Sequence, residues 1–144
     1  MKRDPALVDL SHDHHQALYC AMLMQRATAD DLAEVCEGVL GFWDDQGAKH
    51  FRVEDEVLLP AFAAAGDPRD DAVVTVLVDH VWIRERMARL AAGELGLADV
   101  RALGERLAAH VRHEERVLFP LIEQTLDADA LASLVGRIAA AEAA

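Results

Sequence analysis

Aromatic residues make up only 5 % of this chain. Strand signals are weak, and Asn-Gly and Gly-Gly hairpin turns are missing, which argues against a β-sandwich. Cysteine is confined to Cys20 and Cys36. Two thiols without a signal segment point to a reducing cytosol rather than a disulfide framework. They read as inert packed thiols, with a redox pair as the alternative. Basic residues are in deficit, 14 Lys and Arg against 26 Asp and Glu, for a net charge of −12. That excludes a basic nucleic-acid footprint, and an anionic lipid surface would repel the chain. No uninterrupted apolar run approaches ~18 residues, so no membrane span is expected. Asp4, Pro5 and Asp9 interrupt the first ten residues, which do not read as a signal peptide. The expected location is cytoplasmic.

What is present is apolar and alanine-rich: 53 % hydrophobic residues in 144. That length suits one domain with its own core. The expectation is a single domain over residues 1–144, with a bundle core at about 10–125 and a terminal helix at about 128–142. After a lead-in over residues 1–10, Ser11 reads as the N-cap of a first helix reaching about Thr28. Its inner stripe is expected at Ala17, Leu18, Ala21 and Met22. Asp31-Leu-Ala-Glu34 reads as a capping box opening a second helix, which Pro60 ends or kinks. Gly66-Asp67-Pro68 supplies a stop, a cap and a first turn for a third helix from about Arg69 to Ala92, with Leu77 among its inner residues. Asp99 reads as the cap of a fourth, carrying Val117 inside and continuing past Pro120 to about Leu126. Asp127 restarts a short terminal helix. Short connections make neighbours antiparallel, so the fold class is all-α, an up-down-up-down four-helix bundle with a short C-terminal helix.

One stretch occurs twice. His50-Phe-Arg-Val-Glu54-Asp-Glu-Val-Leu-Leu-Pro60 returns as His110-Val-Arg-His-Glu114-Glu-Arg-Val-Leu-Phe-Pro120. Residues four apart share a helix face, so each copy aims an imidazole and a carboxylate the same way. Asp13-His14 and Asp79-His80 form a second recurring pair, one on each of the other two helices.

A register test follows, because residues at one height of a hairpin are equidistant from its turn. The midpoint of His50 and His80 is residue 65, beside Gly66; that of His80 and His110 is 95, in the Gly93–Ala98 loop; that of His14 and His50 is 32, by the Thr28–Asp31 break. All four histidines therefore fall near one level. A lone His/Glu pair is usually a solvated helix pair; the in-frame duplication and common level favour a metal instead. Buried carboxylates need a counter-charge, and neutral imidazole with carboxylate suits iron, manganese, cobalt or zinc.

The candidate ligands are His14, His15, His50, Glu54, His80, His110 and Glu114. The Asp-His parallel favours His14 for the first helix, whereas His15 would bring Tyr19 to face the site. His12 reads as a surface residue and His113, matched by Val53 in the first copy, as non-ligating. Asp55 and Glu115 are expected to face solvent or the groups just outside the ligands. Arg52 and Arg112 read equally as partners of outer acids or as a solvated face. Trp43 and Trp82 are expected in the core.

With its His14, His50-x3-Glu54, His80 and His110-x3-Glu114, the chain resembles the hemerythrin-like family of HHE cation-binding domains over about residues 10–125. The resemblance implies a four-helix bundle with two iron ions, non-haem and often oxo- or hydroxo-bridged, with the two Glu as further bridges. Zinc or manganese would suit the same donors. It also implies oxygen, nitric oxide or peroxide as the small ligand, or a role in sensing or storing iron. Oxygen carriers of the family have a second His one turn after the third-helix ligand, where this chain has Arg84. They also have an Asp five residues after the last-helix His, where it has Glu115. The carrier set is incomplete, which counts against reversible oxygen carriage and not against iron binding. An enzyme activating oxygen or dismutating peroxide, and a helical interaction module with structural zinc, are the alternatives. Oligomeric state is not legible.

Overall fold

The computed structural model describes residues 2–144, all helices and turns with no strand among them. α1 is Val8–Gln25. α2 covers residues 32–63, α3 is Asp71–Ala91, α4 covers residues 97–125 and α5 is Ala128–Ala143. α1 packs on α2 and α4, and α3 packs on the same two helices from the opposite corner. This is the expected four-helix bundle, with α5 laid across the middle of α2. Among the described residues no helix is long and apolar enough to cross a membrane.

α1 and α4 approach most closely, and a glycine makes that approach possible. A Cβ on Gly104 would lie 2.6 Å from Met24 Cβ and 2.7 Å from the Ala21 carbonyl oxygen. With Ala17 and Ala21 also buried there, the face of α1 is Leu10, His14, Ala17, Ala21 and Met24, while Leu18 is exposed. Leu77 and Val117, expected inside, are likewise exposed.

Several helix starts differ from the expected caps because another acid takes the backbone donors. The Asp4 carboxylate accepts from the Ala6 N–H, starting a turn that brings α1 in at Val8, so Ser11 lies inside the helix. Asp31 turns back to accept from Thr28 and leaves α2 uncapped by a side chain. Asp67 accepts from Arg69, and Asp70 caps α3 instead, accepting from the Ala72 N–H. At α4, Gly96 is the cap, and Asp99 reaches back to its N–H. Asp127 does cap α5.

Neither long helix stops at its proline. α2 runs through Pro60 to Ala63, and α4 through Pro120 to Thr125. In each, the turn before the proline is π-helical: Glu54–Leu58 and Glu114–Leu118. There the N–H of Leu59 or Phe119 donates to the carbonyl of Glu54 or Glu114, five residues back. π-helical turns tend to occur at functional sites, and two of the three here begin at a motif glutamate. The third is Trp43–Gly47, beside the same site.

The core is split. One apolar cluster, with Leu7, Leu10, Leu58, Phe62, Leu118, Phe119, Ile122, Leu134 and Ile138, fills the end where α5 packs. Another, with Met24, Val39, Phe51, Ile83, Met87, Leu103 and Leu107, fills the opposite end. Between them lies a layer of buried polar side chains: His14, His50, Glu54, Asp79, His80, His110 and Glu114.

Candidate metal centre

α1 contributes His14, α2 His50 and Glu54, α3 His80, and α4 His110 and Glu114. All six are buried. They form two groups that share both carboxylates: His14, His50, Glu54 and Glu114, and Glu54, His80, His110 and Glu114. Within each group the donor atoms lie within 4.8 Å of one another. His15 is exposed and stands outside both, because the next residue on a helix points about 100° away. Tyr19 is exposed too, as is His12. His113 hydrogen-bonds the Ala72 carbonyl through Nε2 at 2.9 Å.

The residues present fit a cation. Nε2 of His50, His80 and His110, both oxygens of Glu54 and Oε2 of Glu114 are buried without a hydrogen-bond partner. Imidazole and carboxylate atoms approach to 3.2–3.8 Å without making hydrogen bonds. A buried polar atom left unpaired costs about 1–3 kcal/mol, so six in one place call for a partner. Only His14 Nε2 is satisfied, by Glu114 Oε1 at 2.9 Å.

The outer nitrogens are held in a cycle around the bundle. Asp13 on α1 takes His50 Nδ1 on α2 at 3.1 Å, and Asp55 on α2 takes His80 Nδ1 on α3 at 2.6 Å. Asp79 on α3 takes His110 Nδ1 on α4 at 3.1 Å, and Glu115 on α4 takes His14 Nδ1 on α1 at 2.8 Å. Each carboxylate is the chain neighbour of an inner ligand on its own helix and reaches the imidazole of the next. Such a partner fixes the tautomer and ring orientation, leaving Nε2 free to face a metal. Only part of this was readable. For Asp55 and Glu115 the sequence leaves solvent and the groups just outside the ligands open, and it marks Asp13 and Asp79 only as part of a recurring Asp-His pair. The signal is an acid beside four of the six inner residues, His14, Glu54, His80 and Glu114.

The cluster's charges show in its proton affinities. Burial alone would lower the His80 imidazole, but the hydrogen bond to Asp55 and the close carboxylates of Glu54 and Glu114 raise it to about 9. His50 is held well above its ordinary value and His14 is raised, in both cases against burial: by Glu54, Asp13 and Glu114 for the first, chiefly by Glu114 for the second. Burial would raise Glu114, yet the surrounding imidazoles, His110 foremost, hold it well below the usual carboxylate range. The carboxyls of Asp55 and Asp79 are lowered against burial by His80 with Arg84 and by His110 with Arg106.

A family described as hemerythrin HHE cation binding domain matches residues 6–122. The chain belongs to that family. Comparisons with curated proteins and with solved structures gave no match. The buried His/Glu cluster of this hemerythrin-family chain fits a metal-binding site.

Beside the cluster is a small cavity of about 20 Å³. Ala17, Phe42, Trp43, Phe51, Leu107 and Val111 supply apolar wall, and His14, His50, His110 and Glu114 border it. A water-sized guest needs about 10–15 Å³, so the space suits one small molecule. Gly47 keeps it compact: a Cβ there would lie 2.6 Å from the Trp43 ring. Trp43 and Trp82 are both half-buried. The two thiols are free, and burial pushes both up, away from the reactive thiolate.

Proposed function

We propose that the chain holds a non-haem di-iron centre that binds or senses a small ligand of the size of oxygen, nitric oxide or peroxide. His14 and His50 would hold one ion, His80 and His110 the other, with Glu54 and Glu114 bridging both. The observation that carries this reading is the pair of four-residue donor groups sharing both carboxylates. One six-ligand ion would leave the two groups competing for it. The donor set has no thiol, which suits iron better than a structural zinc built on cysteine. Iron there would supply reversible electron exchange and open coordination positions. The protein's own part is to fix the imidazoles through their outer carboxylates and to admit only a small guest through an apolar cavity. The reading includes a cytoplasmic location, supported by the two free thiols.

Metal analysis with optical spectra of the reduced and oxidised protein tests it. The expected result is two irons per chain, with near-ultraviolet charge-transfer bands in the oxidised form. Bands that appear in air and reverse on degassing would indicate binding, and rapid consumption of added peroxide would indicate catalysis. Colourless protein with one zinc per chain would overturn the reading. Replacing both His50 and His110 by Ala should abolish metal uptake, and unchanged stoichiometry would contradict the ligand assignment.

A further inference from the structure

Three of the four outer carboxylates are gripped by an arginine, and each of those arginines lies over an aromatic ring. Arg84 meets Asp55 at 2.7 Å and sits 5.7 Å from the Phe51 ring centre. Arg106 meets Asp79 at 2.7 Å and sits 5.3 Å from that of Trp82. Arg3 reaches Glu115 at 3.4 Å, gives its shorter contact of 2.6 Å to Glu123, and sits 5.4 Å from Phe119. Asp13, the partner of His50, has no such arginine. The nearest cation lining its surface pocket is Lys49, whose ammonium donates to the Glu142 backbone carbonyl, and the rest of that pocket includes the acids Asp45 and Glu142. Exposure follows the same order: the side chains of Asp79 and Asp55 are 7 % and 20 % exposed, those of Glu115 and Asp13 30 % and 36 %.

Arg84 and Arg106 each bring one guanidinium N–H to an oxygen of their carboxylate, and a ring beneath limits the guanidinium's own freedom. A carboxylate so held fixes the imidazole it accepts from, and losing such an outer partner typically costs 10–100-fold in metal affinity. Both imidazoles of the His80/His110 position have this support. At the His14/His50 position, Glu115 is held by the Ser11 hydroxyl at 2.8 Å and by a longer, shared arginine contact, Asp13 is left to solvent, and the apolar cavity borders both imidazoles, against His110 alone of the other position. We propose that Arg84 and Arg106, and more weakly Arg3, are positioning residues that make the two metal positions unequal. The His80/His110 position is the tighter, and the His14/His50 position gives up its ion first. This rests on the two-position reading given under the proposed function.

The test is timed release from the iron-loaded, full-length protein into excess chelator, read as metal content per chain after desalting. The expected course has two phases of equal size. Arg84→Gln and Arg106→Gln should each speed the slow phase about 10-fold and leave the fast phase alone. Arg3→Gln and Asp13→Asn should speed only the fast phase, and Arg84→Lys should recover part of the loss. His50→Ala should keep one slowly leaving ion, and His80→Ala one quickly leaving ion. An arginine that acts only on general stability would speed both phases together, which would overturn the proposal. So would a change below twofold in both Arg84→Gln and Arg106→Gln. Thermal melts of the metal-free variants identify any that fail to fold, and the two histidine variants then decide the assignment. Two ions leaving in a single phase would overturn the inequality alone. A loaded chain holding one ion would overturn the two-position reading and the inequality with it.

Discussion

At the first motif, the Phe51 ring lies almost flat on His80, with centroids 3.9 Å apart and planes 16° from parallel. The second motif has Val111 at that position and instead stacks Phe119, nine residues after its histidine, on His14 at 5.4 Å and 14°. The residue after each motif glutamate does the same job in both copies: Asp55 takes His80 and Glu115 takes His14. Positions shared by the copies are those that serve the motif's own helix: the inward His and Glu, and the Pro preceded by a π-helical turn. The stacking ring and the acid after the glutamate, which differ between the copies, serve a neighbouring helix, α3 for one copy and α1 for the other. Each copy is thus half of a centre and also the outer wall of a histidine it does not carry.

The strongest way to break that equivalence is to remove a glutamate. Glu54→Ala and Glu114→Ala should each lose both ions, since each carboxylate belongs to both donor groups. His14→Ala and His80→Ala should each lose one, as metal analysis of purified protein will show. Retention of one ion by either glutamate variant would mean the carboxylates do not bridge. Without metal the two copies should part company. Both Glu54 oxygens lack a hydrogen-bond partner, whereas Glu114 accepts from His14. Glu54→Gln should therefore leave the metal-free protein more stable than Glu114→Gln by about 1–3 kcal/mol in urea unfolding. Equal values would show that the missing hydrogen bonds carry no penalty.

The two stacked rings act on the stability of the fold and not on the number of ions bound. Phe119 is fully buried and Phe51 nearly so, and truncating a buried Phe to Ala typically costs about 3–5 kcal/mol. Phe119→Ala should be the more damaging, because its ring is inside the cluster that also seats α5. A melt of the metal-free variants measures the order. Phe51→Ala should also loosen Arg84, and so raise iron loss at the position shared by His80.

Proton linkage is a smaller effect. In the metal-free protein His80 is raised to about 9, so its protonation stabilises the fold fully below the ordinary imidazole value of about 6.5. That contribution is lost as pH rises through about 9. Asp55 and Asp79 are lowered, so theirs is present above the ordinary carboxylate value and disappears as pH falls through the lowered one. A metal needs the imidazole neutral. Loading at pH 7 should therefore release protons, detectable by calorimetry in buffers of different ionisation enthalpy, and affinity should climb between pH 7 and 9. Loading without proton release would contradict the raised His80.

The bundle and five of the six inward residues are legible because both leave long-range marks in the sequence, an in-frame repeat and histidines equidistant from three turns, while the choice between His14 and His15 rests only on the Asp-His parallel. Helix starts were less so, since Asp67 and Asp70, or Asp4 and Ser11, compete for the same donors and local geometry decides. Leu18 shows that an apolar residue does not announce its side when Gly104 lets two helices meet on alanines instead, and Leu77 and Val117 face outward although their spacing fits an inner stripe. Arg84 stood out in the sequence only as the place of a missing histidine. Its ion pair with Asp55 depends on the register between α2 and α3, which the midpoints fix to a level but not to a side chain.

The smallest effect is expected at Val53 and His113, where an apolar side chain in one copy answers an imidazole in the other. Val53 is buried among apolar side chains, whereas His113 is half-buried and bonds the Ala72 carbonyl. His113→Val would make the second motif match the first there. A hydrogen bond contributes a net ~0.5–1.5 kcal/mol. The Ala72 carbonyl lies in the first turn of α3, where an oxygen with two lone pairs keeps its helical donor when the imidazole goes. Valine would also bury apolar area that the imidazole covers only partly, offsetting the loss at about 25 cal/mol per Å². The net change in urea unfolding should be below about 1 kcal/mol, with the ion count per chain unchanged. Loss of an ion in His113→Val would instead make His113 a ligand, and the equivalence of the two motifs would fail at the position where the sequence already departs from it.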